Sequence, residues 1–200
     1  MKVELHLHTS RYSGCAVNTP EEMMAGLIAA GYEAVFITEH AAVWPVEELD
    51  ELRGKFPQLK IFGGVELYVG PHHLLVLGTS DASYLDICDD APAVLDKARQ
   101  AGHLTVLAHP FRWEEGFEML FEDLRPDAIE CRTCNQERPA ADRAAAVAAE
   151  MGLAGVNSGD SHGLDFLDRF WIETPQPLVE PTDIRRIILA GAYKNCVREQ

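Results

Sequence analysis

Short apolar runs alternate with amphipathic segments along nearly the whole chain, and this alternation constrains the fold more than any other feature. Runs at residues 3–7, 34–38, 60–69, 74–78, 104–108, 128–131 and 154–158 read as strands, with 171–173 as a further short one. Between them, 19–31, 46–55, 92–101, 114–124, 138–151 and 182–190 read as helices. The first of these has a complete start signal: Thr19 as N-cap, Pro20 at the first helical position and Glu22 to close a capping box. Strands that alternate with helices imply an α/β fold with a mostly parallel sheet. No linker or low-complexity tract divides residues 1–200, so a single domain is expected.

The polar residues select among α/β architectures. His6 and His8, Glu39 and His40, Glu66, His109, and Asp160 with His162 all fall in or just after the end of an expected strand. They come from many different strands. A closed barrel gathers such ends into one mouth, whereas an open sheet spreads them along an edge, so the barrel fits better.

Each of these residues has a bland reading beside a functional one. In His6-Leu7-His8, strand alternation puts both imidazoles on one face, where they could share a metal ion or form a hydrogen-bonded core pair. Glu66 lies in an otherwise apolar strand, and a buried carboxylate there needs a strong partner, either a metal or an arginine. His109 closes the run 104–108, and Asp160-Ser161-His162 follows the run 154–158. As a set these positions are more telling than any one of them, because every interruption is a metal-ligand type at a strand end.

In order along the chain, the H-x-H-T opening, T-E-H, G-V-E, H-L-L-V-L-G, A-H-P-F-R and G-D-S-H resemble the motifs of the PHP family, the polymerase and histidinol phosphatase group. The resemblance runs from His6 to about His162 and implies a distorted seven-stranded (β/α)7 barrel. It implies two or three divalent transition-metal ions (zinc, manganese or iron) and phosphoesterase chemistry. Carried over motif by motif, the metal ligands are His6, His8, His40, Glu66, His73, His109, Asp160 and His162, with Glu66 as the bridging carboxylate. His73 aligns in its motif, and His72 does not. Glu66 and His109 are the catalytic assignments, acting through a metal-activated water. The segment after H-x-H departs from the family pattern: residues 9–15 lack the usual Asp or His. That leaves His40 and His162 for the third ion, with water or Cys15 to complete it.

Imidazole with carboxylate suits zinc, manganese or iron better than magnesium or calcium. Two such cations can clamp phosphate oxygens and activate water, so a small phosphomonoester or phosphodiester is the expected substrate. Arg112, just after the A-H-P-F motif, could grip a phosphate with a bidentate fork or sit in a rim salt bridge; Arg11 is a further phosphate-binding candidate. The same barrel could instead cleave C–N or C–O bonds, or serve as a non-catalytic metal-stabilised module. His103 and Trp44 read as structural.

A net charge of −15 argues against a nucleic-acid or anionic-membrane surface. No apolar run approaches membrane-spanning length. Five cysteines and no signal-peptide pattern point to reduced thiols in a cytoplasmic setting, and the lone Cys131-x-x-Cys134 lacks the second pair of a zinc finger.

Overall fold

The computed structural model describes residues 1–113 and 125–198. Nine strands among the described residues form one sheet in the order β7-β6-β5-β4-β3-β2-β1-β8-β9. They are β1 (Lys2–Leu7), β2 (Ala34–Ile37), β3 (Lys60–Val69), β4 (His72–Leu77), β5 (Leu104–Ala108), β6 (Ala128–Arg132), β7 (Ala154–Asn157), β8 (Phe170–Glu173) and β9 (Lys194–Val197). Five α-helices among the described residues accompany them: α1 (Pro20–Ala29), α2 (Val46–Lys55), α3 (Ala91–Ala101), α4 (Arg138–Met151) and α5 (Asp183–Leu189). The helix expected at 114–124 lies outside the described residues.

The expected barrel is present, but with nine strands in the sheet rather than seven. β1 to β7 make the wall in chain order. The chain just after β7 then meets the upper end of β1: His8 N–H donates to Ser161 O at 2.9 Å, and Ser161 N–H to His6 O at 3.2 Å. The lower part of the same β1 edge is taken by β8, where Lys2 pairs with Glu173 and Val3 with Ile172. β9 extends that ribbon. One edge of β1 thus has two partners at different heights, which is how nine strands fit a seven-stranded wall. β9 escaped the sequence reading because it is four residues long and only Cys196 in it is buried, so it carries no apolar run.

The sheet is parallel across β1-β2-β3 and β5-β6-β7, while β4 runs antiparallel to both neighbours. The reversal is a tight hairpin in which Val69 pairs with His72 across Gly70, whose φ of +58° suits a residue without Cβ. Its register sets Tyr68 opposite His73 and Glu66 opposite Leu75. Alternation therefore puts Glu66, Tyr68 and His73 on one face and His72 on the other.

The α1 capping box forms as expected, with Thr19 and Glu22 side chains each accepting from the other's backbone N–H. Met23, Met24 and Leu27 of α1 and Leu49 and Leu52 of α2 pack with Val35, Ile37 and Ile61 on one outer side of the wall. Val94, Leu95 and Ala98 of α3 and Ala144 and Ala148 of α4 cover the other, over Val65, Leu107 and Ile129. A third cluster joins Phe36, Phe62, Leu75, Val106, Ala128 and Val156 from strands all round the sheet, together with Ile184, Ile187 and Ile188 of α5. It fills the barrel below the polar mouth. At roughly 25 cal/mol per Å² of apolar area removed from water, these clusters are the main source of stability. They leave the mouth free to hold polar groups that do not stabilise the fold. Among the described residues no helix is long and apolar enough to cross a membrane.

Candidate metal centre

Glu66 stands at the centre of the mouth, fully buried, with imidazoles on both carboxylate oxygens. Its Oε1 lies 2.6 Å from His73 Nδ1 and 3.2 Å from His109 Nε2. Its Oε2 lies 2.9 Å from His40 Nδ1 and 3.2 Å from both His6 Nε2 and His8 Nε2. Asp160 faces the same group from the closing segment, with Oδ1 3.4 Å from His6 Nε2 and His8 Nε2 and 3.5 Å from His162 Nδ1. All eight residues named as ligands from the sequence therefore converge on one mouth.

Hydrogen bonds behind the rings fix which nitrogens face inward. Glu130 on β6 accepts from His6 Nδ1 at 2.9 Å, while its other oxygen takes the His109 backbone N–H at 2.8 Å. Ser158 Oγ–H also donates to Glu130. Ser13 Oγ lies 3.3 Å from His8 Nδ1, accepts the His40 backbone N–H at 3.1 Å and donates to Glu39 at 2.6 Å. Since Ser13 spends its one proton on Glu39, it must accept from His8. Both Nδ1 atoms are thus donors, and both Nε2 lone pairs face the cavity. Yet His6 Nε2 and His8 Nε2 are 2.9 Å apart. Two lone pairs at that distance repel unless a proton or a metal cation lies beside them.

Other atoms point the same way. His40 Nδ1 and Glu66 Oε2 are close but not aligned as a hydrogen bond, and Asp160 Oδ2 and His109 Nδ1 also lack hydrogen-bond partners although buried. Unsatisfied buried polar atoms are costly, and their concentration here fits a site that binds a positive ligand. Donor atoms fall into three compact sets: His6, His8 and Asp160; His40, Glu66 and His73; and His8, His40 and His162. This donor chemistry fits divalent transition metals, with Glu66 between the sets.

Electrostatics follow from the same crowding. Burial resists charging of His6, but the carboxylates of Asp160, Glu130 and Glu66 outweigh it and raise its pKa well above that of a free imidazole. His8 shifts the same way, against burial, through Asp160 and Glu66. Burial would raise Glu66 and Asp160, yet the surrounding histidines hold both well below the usual carboxylate range. His162 is pushed down to about 4 by burial and by His8. Beneath them Glu4, fully buried, is raised to about 7 by desolvation, although the N–H groups of Leu5, His6 and Gly159 all donate to it. The backbone is strained here too: His109 has φ +28° and Asp160 φ +48°, in the region that favours glycine. Such conformations cost on the order of 1–3 kcal/mol each and persist where the surroundings enforce them.

The two arginine expectations separate. Arg112 reaches the rim, with Nη1 3.8 Å from Asp160 Oδ2 and its guanidinium 4.9 Å from the Trp113 ring. Arg11 instead turns to α2, where Nε and Nη2 both donate to Glu48 at 3.0 Å, and its pairing there leaves it out of the mouth. His103 is structural as expected, 2.8 Å from the Tyr84 hydroxyl, and Trp44 packs in the core with its indole N–H donating to Glu39. Cys15 is exposed and its thiol is raised by partial burial; it is not part of the His8, His40 and His162 set. The set gains His8 where the sequence reading had only His40 and His162.

Glu4, Ser13 and Glu130 were missed. Glu4 and Glu130 carry the same signal as Glu66, a carboxylate inside an apolar strand, and that test would have found them. Tyr68 and Trp113 were also missed. Both are about half exposed, and they flank His73, with ring centroids 4.7 and 5.1 Å from it.

The sequence profile described as PHP domain matches residues 4–131. No curated protein matches the sequence. Among solved structures, PsfC from Pseudomonas syringae superposes with a TM-score of 0.69 at 18% identity, covering 100% of this chain and 92% of that one. An amidohydrolase from Chromobacterium violaceum, solved with sulfate and no metal, gives 0.66 at 16% identity over 82% of this chain and 88% of that one. A protein assigned as a metal-dependent phosphoesterase from Bifidobacterium adolescentis gives 0.64 at 15% identity over 94% and 95%. At these identities the likeness is one of fold.

Proposed function

Given that this chain belongs to the PHP domain family, we propose that it is a metal-dependent hydrolase of small phosphate esters. The observation that carries the reading is Glu66, whose two carboxylate oxygens between them meet five imidazoles in a buried mouth.

His6, His8, His109 and Asp160 with Glu66 would hold one part of a multinuclear centre; His40 and His73 with Glu66 another; and His8, His40 and His162 a third. Zinc, manganese or iron bound there supplies Lewis acidity toward a phosphoryl oxygen and makes water a nucleophile near neutral pH. The protein's part is to hold and orient. Glu130 keeps His6 in one tautomer, and the Ser13–Glu39 relay does the same for His8. Among the described residues Arg112 meets one carboxylate, Asp160, at 3.8 Å and not as a fork, which leaves guanidinium N–H groups to take phosphate oxygens that approach beside it. Tyr68 and Trp113 give the mouth apolar walls against which the alcohol part of a substrate can lie.

The test is a screen of protein reconstituted with manganese, zinc or iron against phosphomonoesters, phosphodiesters and cyclic amides. Metal-dependent turnover of a phosphate ester, with KM raised by Arg112→Ala, is the expected result. Turnover confined to amides, and insensitive to Arg112→Ala, would overturn the choice of substrate class. The alternative of C–N hydrolysis on the same barrel is the one that the amidohydrolase likeness favours.

A further inference from the structure

Outside the barrel, behind the segment that closes it, four arginines line one cavity of about 750 Å³. Arg132 comes from the end of β6, Arg138 from the start of α4, and Arg169 and Arg198 from the ends of the β8–β9 ribbon. In a chain of net charge −15 this concentration of guanidinium groups runs against the overall balance.

Their partners among the described residues do not neutralise them. Asp142 serves both Arg132 and Arg138 at the long distances of 3.7 and 3.8 Å. Asp168 pairs with Arg198 at 2.8 Å but is shared with Lys2. Arg169 lies against the Phe166 ring, its guanidinium 5.7 Å from the centroid. Two further features add positive potential or donors. The N-terminus of α4 opens here, and its N-cap Glu137 makes no side-chain capping bond. Gln136 also lines the cavity, and both its amide oxygen and nitrogen are buried without a hydrogen-bond partner. An amide in that state is costly, and a rotation of the side chain toward the cavity would let a ligand satisfy it.

We propose that this cavity is a second binding site, for a small organic phosphate or diphosphate, separate from the metal centre. The separation is physical. The segment bearing Ser158 to Ser161 pairs with β1 and stands between the cavity and the imidazole cluster. The two sites are nevertheless in contact through backbone: Cys134 N–H donates to Gly159 O at 3.1 Å, and Asn135 Nδ2 to Asp160 O at 2.8 Å. A ligand held by residues 132–136 is therefore one backbone hydrogen bond from the segment that holds Asp160.

The experiment is calorimetric titration of metal-loaded protein with inorganic pyrophosphate, in wild type, Arg169→Gln/Arg198→Gln and Glu66→Gln. Wild type and Glu66→Gln should share one binding event that weakens about tenfold or more in the double arginine variant, as expected for lost charge-assisted hydrogen bonds, and that weakens with added salt. Binding lost in Glu66→Gln but kept in the double variant would assign it to the metal centre and overturn the proposal, as would no binding in wild type. If the double variant does not fold, Arg138→Gln changes a largely exposed side chain and should weaken the same event; unchanged affinity there is equally fatal. None of these readouts depends on turnover, so the site stands or falls independently of the hydrolase reading.

Discussion

His6 Nδ1 donates to Glu130 at 2.9 Å, and this single bond decides that the His6 lone pair faces His8. Glu130 also holds the backbone N–H of His109, so one carboxylate positions two candidate ligands from strands far apart in the sheet, β1 and β5. It is a positioning residue: it meets the His6 imidazole from behind and the His109 backbone, not the faces of the rings that line the mouth. Glu130→Gln keeps the shape but places an N–H₂ group against donors. Metal affinity should fall by about 10- to 100-fold, the usual effect of losing a supporting carboxylate behind a histidine ligand. Competitive titration with a chromogenic chelator measures it; unchanged affinity would mean that His6 orientation is set elsewhere.

Glu66→Gln tests the centre itself. Wild-type protein purified without chelator should carry at least two transition-metal ions per chain by elemental analysis, because three donor sets converge. An amide offers one neutral oxygen where the carboxylate offered two anionic ones, so occupancy should drop to one ion or fewer. Turnover should fall by more than about 100-fold, beyond the loss typical of a supporting hydrogen bond. The fold should persist, since the apolar clusters lie below and outside the mouth. Full occupancy with near-normal activity would make Glu66 a structural carboxylate.

These two glutamates show what the sequence made legible. The convergence of His6, His8, His40, His109 and His162 could be read because each falls in or just after the end of an apolar run, and barrel closure then brings strand ends together; His73, at the start of β4, came only from the family resemblance. Glu130 and Glu4 carry the same signal as Glu66, a carboxylate inside an apolar strand, but neither falls in one of the motifs that drew attention to Glu66. The reversal at β4 was hidden because a strand's direction leaves no mark in its own composition. Only the two-residue link between Val69 and His72 records it. Arg112 ranked ahead of Arg11 because it follows the A-H-P-F motif, but the partner that removes Arg11 from the mouth, Glu48, was hidden because it lies 37 residues away on α2.

The third donor set should hold its ion least tightly. His8, His40 and His162 are neutral ligands with no carboxylate among them, so water must complete the coordination and no anionic ligand offsets the ion's charge. Mild chelation should remove one ion ahead of the others. Gly14→Asp should slow that loss: a Cβ at Gly14 meets no atom within 4 Å, so the change introduces a carboxylate in the 9–15 loop without a clash. Cys15→Ser separates the remaining possibility, because an exposed thiol outside the set should not alter occupancy. Three ions released together in wild type and in both variants would show that the site is already complete.

Stability at the closed end of the barrel should depend on Asp127. Arg185 of α5 forks onto it, Nε to Oδ2 at 3.0 Å and Nη2 to Oδ1 at 2.9 Å. Thr105 donates to it from both backbone N–H and hydroxyl at 3.1 Å, and Asp127 N–H returns to the Thr105 hydroxyl at 3.0 Å. The carboxylate therefore ties β5, β6 and α5 together beneath the plug of Ile184, Ile187 and Ile188. Asp127→Ala would leave a guanidinium and two Thr105 donors without their acceptor, in a place only partly open to water. A loss of about 2 kcal/mol is expected, toward the lower end for a broken ion pair because solvent reaches both side chains. For a domain of this size that lowers Tm by roughly 4–8 °C. Calorimetry of the metal-free protein measures it without the added stabilisation that metal binding brings. Lys55→Ala, which removes an exposed pair with Glu21, is the matched control and should leave Tm unchanged. If both variants melt together with wild type, α5 is held by its isoleucines alone and the Asp127 network contributes nothing to the closed end.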